Sequence, residues 1–249
     1  MIENKIVLSV GLNSIKRSNT NRNVFHLKKI FFDLREKEIL AIVGPNGVGK
    51  TTLLNSFLNL LDYNYTIDGI ISLMGINPLS SSEKVLTNLR KNVTKYIFQD
   101  AANCFDPLRK LAYYFNSTIN ESELDSYLSY FLLPTSDNIL NKYPGELSIG
   151  MAQRLAIIWG LLSKPQLLLL DEPSSALDAP IINLLSYKLK EWNEKNNSSV
   201  VLVTQNINFA IHTATYITIL TKDGLIHNDQ NDISYLQKYL HNSSDESKS

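Results

Sequence analysis

Short apolar runs recur along the chain and separate into two periods. Residues 6–10, 24–34 and 38–43 carry strand-favouring residues at the start, and residues 167–170 and 200–203 do so later. Residues 67–76 read as a further strand punctuated by Gly69 and Gly75, and the polar residues 13–23 (NSIKRSNTNRN) read as a loop or hairpin tip. Leu53, Leu54, Phe57, Leu58 and Leu61 change to helical spacing. From Asp100 to Leu162 the pattern is mostly helical, with Pro107, Pro134 and Pro144 as punctuation. Ser122, followed by Glu123 and Asp125, is expected to open one helix, and Ser148 to cap another running through Ile158. Residues 180–192 predict a helix, and residues 216–220 and 224–226 a terminal hairpin. The four leucines 167–170 are apolar on both faces, which fits a parallel strand covered on both sides. Strands alternating with helices imply an α/β core, and the helical stretch in the middle implies a second lobe.

Composition narrows the function classes. Hydrophobic residues are 44% and charged residues 19% of 249, so extended disorder is not expected. Lys plus Arg (24) equals Asp plus Glu (24), and that balance lacks the basic footprint of a dedicated nucleic-acid binder. The single cysteine, Cys104, excludes an intrachain disulfide framework, and His26, His212, His227 and His241 lack metal-ligand spacing. The opening MIENKIVLSV carries no secretory signal pattern. The richest apolar region, residues 155–170, is broken by Ser163, Lys164, Pro165 and Gln166, so no spanning helix is expected. A cytoplasmic globular protein is the expectation.

The chemistry begins where residues 38–43 run into Gly44-Pro45-Asn46-Gly47-Val48-Gly49-Lys50-Thr51, followed by Thr52. This matches G-x-x-x-x-G-K-[ST] in full, between a strand and a helix. Glycines let such a loop wrap closely, so that backbone N–H groups and a helix N-terminus face phosphate oxygens. Lys50 is expected to reach the β- and γ-phosphates and Thr51 to ligate Mg²⁺. The leucine run ends in Asp171-Glu172. A carboxylate at the end of a buried strand places Asp171 to hold Mg²⁺, and Glu172 to polarise an attacking water.

Between these motifs lies Leu147-Ser148-Ile149-Gly150-Met151-Ala152-Gln153-Arg154, which resembles the LSGGQ-x-QR signature of ABC-type ATPases. Gln99 in Tyr-Ile-Phe-Gln-Asp resembles the Q-loop, and Ser174-Ser175-Ala176-Leu177-Asp178 the D-loop. The resemblance covers residues 5–230 and implies one ABC nucleotide-binding domain over residues 1–249. Residues 1–99 and 166–235 would form a RecA-like P-loop NTPase core with an antiparallel β subdomain. Residues 100–165 would form an inserted α-helical subdomain carrying the signature, and residues 240–249 a flexible tail. It also implies a head-to-tail pair of domains around two ATP molecules, each ATP between one chain's P-loop and the other's signature. Ser148 and adjacent backbone N–H groups would then face the γ-phosphate. Glu172, Gln205 and Gln99 are the catalytic candidates this implies; Thr51, Gln99 and Asp171 are the Mg²⁺ ligands. The helical subdomain would dock on an integral membrane permease at the cytoplasmic face of the membrane, through residues 100–109.

Four positions depart from that family. Ile149 replaces the first signature glycine, where a β-branched residue adds bulk. Met151 replaces the usual Gln, as it does in peptide- and nickel-importer ATPases. Gln205 stands where a switch histidine is usual; it donates hydrogen bonds but carries no charge. No aromatic to stack on adenine is assignable near residues 13–20; Leu12, Ile15 and Phe25 are the apolar candidates. Gln99-Asp-Ala-Ala-Asn-Cys-Phe-Asp-Pro107 resembles the Q-[DE]-P-x-x-x-L-N-P segment of oligopeptide, dipeptide and nickel importers, apart from Ala101 and Asp106, and the His-Pro-Tyr extension common in that group is missing. The implied function is the ATPase subunit of a peptide or nickel importer, with a second ATPase subunit as heterodimer partner and an extracytoplasmic substrate-binding protein. The ATPase of an exporter, or a largely non-hydrolytic partner subunit, is the alternative. The spots Lys28-Lys29, Arg90-Lys91 and Arg109-Lys110 read as solvated surface, Cys104 as a small packed residue.

Overall fold

A computed structural model describes residues 5–17, 26–115 and 120–227. The order is β1 (Ile6–Arg17), β2 (His26–Arg35), β3 (Ile39–Val43), α1 (Lys50–Phe57), β4 (Tyr65–Leu73), α2 (Glu83–Asn88), β5 (Thr94–Ile97), α3 (Ala112–Phe115), α4 (Glu121–Tyr130), α5 (Ser136–Ile139), α6 (Ile149–Leu162), β6 (Leu167–Asp171), α7 (Ala179–Asn196), β7 (Ser199–Thr204), α8 (Ile207–Thr213), β8 (Tyr216–Thr221) and β9 (Gly224–His227). One sheet has the order β5-β6-β7-β3-β8-β9, parallel except for the β8–β9 hairpin. A second, antiparallel sheet has the order β2-β1-β4. The fold is the mixed α/β class that the strand–helix alternation predicts.

The leucine run shows why the large sheet is apolar on both faces. Leu168 and Leu170 join one core with Ala41, Val43, Val200 and Leu202, and with Phe105, Leu128 and Leu155 from the stretch between β5 and β6. Leu167 and Leu169 join the opposite core with Leu40, Ile42, Val201 and Val203, and with Leu8, Leu12 and Ile15 of the small sheet. The period of two in each strand divides its side chains between two covered faces, so neither face has polar positions to spare.

Four local expectations are corrected. The polar residues 13–17 are strand rather than loop, because β1 continues to Arg17 with Ile15 fully buried and Asn13, Lys16 and Arg17 outward. A solvated outer face on a sheet covered on one side produces that polar pattern. Residues 18–25 lie outside the described residues, as do residues 240–249. The helix assigned to Ser122 begins earlier, at Glu121, because the Asn120 side chain accepts from the Ser122 N–H at 2.9 Å. The helix capped by Ser148 runs on to Leu162, and α7 extends to Asn196. No described helix is long and apolar enough to cross a membrane.

Candidate nucleotide site

The site gathers at the C-terminal ends of adjacent parallel strands. β3 feeds the loop 44–49, β5 ends two residues before Gln99, β6 ends on Asp171, and β7 ends one residue before Gln205. In open α/β sheets the crevice outside these strand ends is where ligands bind. Asn46, Gly47, Gly49, Lys50, Thr51, Thr52, Gln99 and Glu172 line one cleft of about 210 Å³ there.

The loop depends on two glycines. Gly49 caps α1 at φ 109°, a left-handed conformation that side chains disfavour. At Gly44 a Cβ would lie 2.8 Å from the Leu220 carbonyl oxygen and 3.0 Å from Val48, so any side chain would push the loop off the sheet. Val48 anchors the loop as part of the core beneath it. The Lys50 ammonium is buried and donates to the carbonyl oxygens of Gly44 at 2.8 Å and Pro45 at 3.1 Å. It also forms an ion pair with Glu172 Oε1 at 3.1 Å.

Asp171 is 1% exposed. Its Oδ2 accepts from the Tyr96 phenol at 3.3 Å, whereas its Oδ1 has no hydrogen-bond partner among the described residues. Burial raises its pKa above the usual carboxylate range and the Glu172 charge adds to the rise, while the Thr51 and Tyr96 hydroxyls oppose it. A buried carboxylate oxygen without a hydrogen-bond partner among the described residues, next to the Thr51 hydroxyl, fits a hard cation. No group of three His, Cys, Asp or Glu side chains is placed to hold a metal among the described residues.

Glu172 has φ 47°, an unfavourable value for a side chain of this kind. Its N–H is fixed on the Val203 carbonyl oxygen at 2.9 Å. The Gln205 N–H donates to Glu172 Oε2 at 3.1 Å, and the Gln205 side-chain amide donates to Asn46 Oδ1. Thus two segments distant in sequence, those of Lys50 and Gln205, converge on the Glu172 carboxylate.

The signature segment stands apart, and none of Leu147, Ser148, Ile149, Gly150 and Met151 lines the cleft. Ser148 caps α6, accepting from the Met151 N–H at 3.2 Å. Ile149 is 79% exposed, whereas Leu147 and Met151 pack against the helical side of the core. A Cβ on Gly150 would lie 3.1 Å from the Ala176 carbonyl oxygen, so the signature seats directly on the D-loop. Arg154 ties this helix to the turn after α4 through the carbonyl oxygens of Phe131 and Leu132. In the D-loop, Ser174 is buried, Leu177 packs against the core, and Asp178 caps α7 by accepting from the Ile181 N–H at 3.1 Å. Of the apolar adenine candidates, Leu12 and Ile15 fail because they are fully buried; Phe25 lies outside the described residues.

One contributor and one pairing carry no motif of their own. Tyr96 carries only the alternation of a strand in the sequence, and the pairing of Asn46 with Gln205 spans 159 positions.

The family model described as ABC transporter matches residues 27–175, more than half of the chain. The chain belongs to this ABC transporter family. The cassette is 28% identical over 208 residues to the oligopeptide transport ATP-binding protein OppD of Lactococcus lactis subsp. cremoris (strain SK11), covering 79% of this chain and 62% of that protein. It is 28% identical over 226 residues to the dipeptide transport ATP-binding protein DppD of Bacillus subtilis (strain 168), covering 86% and 68%. The chain therefore spans less than two thirds of the first of these relatives. Among solved structures, the dimeric post-hydrolysis state of the ATP-binding cassette MJ0796 bound to ADP and Pi superposes with a TM-score of 0.70 at 25% identity, covering 88% of this chain and 98% of that one. The cassette is thus an ABC ATP-binding domain with a P-loop NTPase fold, similar to peptide-importer ATPases.

Proposed function

We propose that this chain binds and hydrolyses MgATP to drive peptide import through a separate membrane permease, working from the cytoplasmic face of the membrane. The observation that carries the reading is the convergence of Lys50, Thr51, Asp171, Glu172 and Gln205 at neighbouring strand ends. Peptide is favoured over nickel as cargo because the relatives above are named for oligopeptide and dipeptide transport.

Each residue has a task in this reading. The loop N–H groups and the α1 N-terminus cradle the phosphates. Lys50 exchanges Glu172 for the β- and γ-phosphate oxygens, and Glu172 is thereby released toward the attacking water, whose proton it takes. Asp171, Thr51 and Gln99 would hold Mg²⁺, which when bound neutralises phosphate charge. The Gln205 amide offers a neutral donor at the edge of the same site. Ser148, Ile149 and Gly150 lie outside the cleft, which is consistent with service to the nucleotide of a second cassette. The permease surface is assigned to residues 100–109 and their neighbours. Leu108 is 86% exposed, and Arg109 lies over the exposed Tyr113 ring at 4.0 Å. The Tyr114 hydroxyl accepts from the Asp106 N–H and fixes that segment on the helical lobe.

A reduced hydrolytic rate is a second reading, favoured by Ile149 and Gln205. Titration of the purified chain with a fluorescent ATP analogue and Mg²⁺, followed by phosphate release from the chain with its permease and partner cassette, tests both. Absence of saturable MgATP binding refutes the site; binding without turnover in the assembled complex selects the non-hydrolytic reading.

A further inference from the structure

The hydrogen bond between Asn46 and Gln205 points to a task for Asn46 beyond phosphate cradling. Glu172 receives the Gln205 N–H at 3.1 Å, but the Gln205 Nε2 stands 3.4 Å from Glu172 Oε1. That separation is at the outer limit of a hydrogen bond, so Glu172 by itself orients the amide weakly. The last torsion of a glutamine is broad and roughly two-fold, so the carboxamide turns easily. Turned about, it would set its carbonyl oxygen against the carboxylate, acceptor against acceptor. The same Nε2 donates on its other side to the Asn46 Oδ1. Asn46 lies in the turn between β3 and α1, and Gln205 in the bend between β7 and α8, so neither orientation is set by a helix or strand.

We propose that Asn46 is a positioning residue: it holds the Gln205 amide with its NH₂ edge toward Glu172 and the cleft. A neutral glutamine then presents a donor where it would otherwise be free to present an acceptor. This rests on the ATPase reading for its consequence in turnover, but not for the contact itself.

The test uses the full chain labelled with ¹⁵N-glutamine, the Gln205 side-chain resonances being assigned by their loss in Gln205→Ala. Asn46→Ala should shift those resonances and speed their hydrogen exchange. Asn46→Asp retains the acceptor oxygen, so it should hold them near their original positions while raising KM through added negative charge beside the phosphates. With the partner subunits present, Asn46→Ala should lower kcat roughly two- to tenfold at unchanged KM, the worth of one exposed hydrogen bond. In a Gln205→Ala background the same substitution should cost nothing further. Resonances unmoved by Asn46→Ala, a full additional loss in the Gln205→Ala background, or an effect confined to KM would overturn the proposal. If the unsubstituted chain neither binds nor hydrolyses ATP, the ATPase reading fails, and the amide resonances still decide whether Asn46 holds Gln205.

Discussion

Replacing Lys50 with alanine should separate what this residue does for the fold from what it does for ATP. The Lys50 and Glu172 side chains are 6% and 8% exposed and 3.1 Å apart. Removing one member of a fully buried pair costs about 3–5 kcal/mol, because the other charge is left without a partner. Glu172 keeps the Gln205 N–H at 3.1 Å, so a loss of about 2–3 kcal/mol is expected here. For a chain of this size each kcal/mol shifts the melting temperature by roughly 2–4 °C, so Tm should fall by about 4–12 °C. ATP affinity should fall as well. A hydrogen bond to a charged group contributes about 1.5–3 kcal/mol, and since ATP must take Lys50 from Glu172, the low end applies: roughly tenfold in Kd. Lys50→Ala combined with Glu172→Gln removes both charges. It should recover most of the lost Tm and none of the lost affinity. Calorimetry without nucleotide and titration with a fluorescent ATP analogue read the two effects separately. A double variant as unstable as the single one refutes the ion-pair argument, and unchanged affinity refutes the phosphate role of Lys50.

Three further outcomes are expected. Glu172→Gln should slow hydrolysis while preserving ATP binding, because the amide keeps the shape without the base; size measurements with ATP should show a closed dimer accumulating, and turnover at the original rate refutes the assignment. Burial lowers the Lys95 pKa to about 8, so the unfolded chain binds more protons than the folded one from there up to the ordinary lysine value. That contribution to stability is lowest below pH 8 and rises with pH through this window, and Lys95→Met should remove the rising limb. Cys104, pushed up to about 11 by burial, works in the opposite sense above the ordinary thiol value, so the difference between variant and original is the measurement; identical pH profiles refute the assignment to Lys95. Single cysteines introduced at positions 100–109 of a Cys104→Ser chain should crosslink to a permease subunit, and crosslinks found only from residues 200–226 would reverse the orientation.

Much of this arrangement was legible because it is local. Gly44 to Thr51 fixes its own loop through backbone requirements, and Leu167 to Asp171 reports its burial on both faces through composition alone. The end of β1 was not legible, because an outward-facing row of Asn13, Lys16 and Arg17 has the same composition as a loop. Tyr96 was not legible as a contributor to the site, and Asn46, legible as part of the phosphate loop, was not legible as the partner of Gln205. Their contacts with Asp171 and Gln205 cross from one strand end to another, and spacing along a chain carries no record of which strands become neighbours. The start of α4 differs by one residue for a milder reason: Asn120 and Ser122 both suit the cap, and only the folded geometry selects Asn120.

The exposed Ile149 and the neutral Gln205 bear on which partner cassette the proposed dimer would take. In a homodimer both sites would pair a catalytic half carrying Gln205 with a signature carrying Ile149. Each site would then lack a charged switch residue and present a bulkier γ-phosphate cradle. Gln205 offers a neutral donor in place of a charged one, and charge-assisted hydrogen bonds are roughly twice as strong as neutral ones, so with the bulk of Ile149 added each site is expected to turn over slowly. With a partner cassette carrying a histidine switch and a glycine signature, the handicaps fall on different sites. One site has Lys50, Glu172 and Gln205 of this chain facing the partner's intact signature. The other has the partner's complete catalytic half facing Ser148, Ile149 and Gly150. Because Ile149 is at the first position of α6 and 79% exposed, its bulk stands at the surface and is free to yield, whereas Gln205 has no charge of its own to offer. The second site is therefore expected to carry more of the turnover. Gln205→His should raise activity at the first site and Ile149→Gly at the second, measured as phosphate release from the full complex in which the partner's own catalytic glutamate has or has not been replaced. Robust turnover by this chain alone, unaffected by either substitution, would refute the asymmetric arrangement.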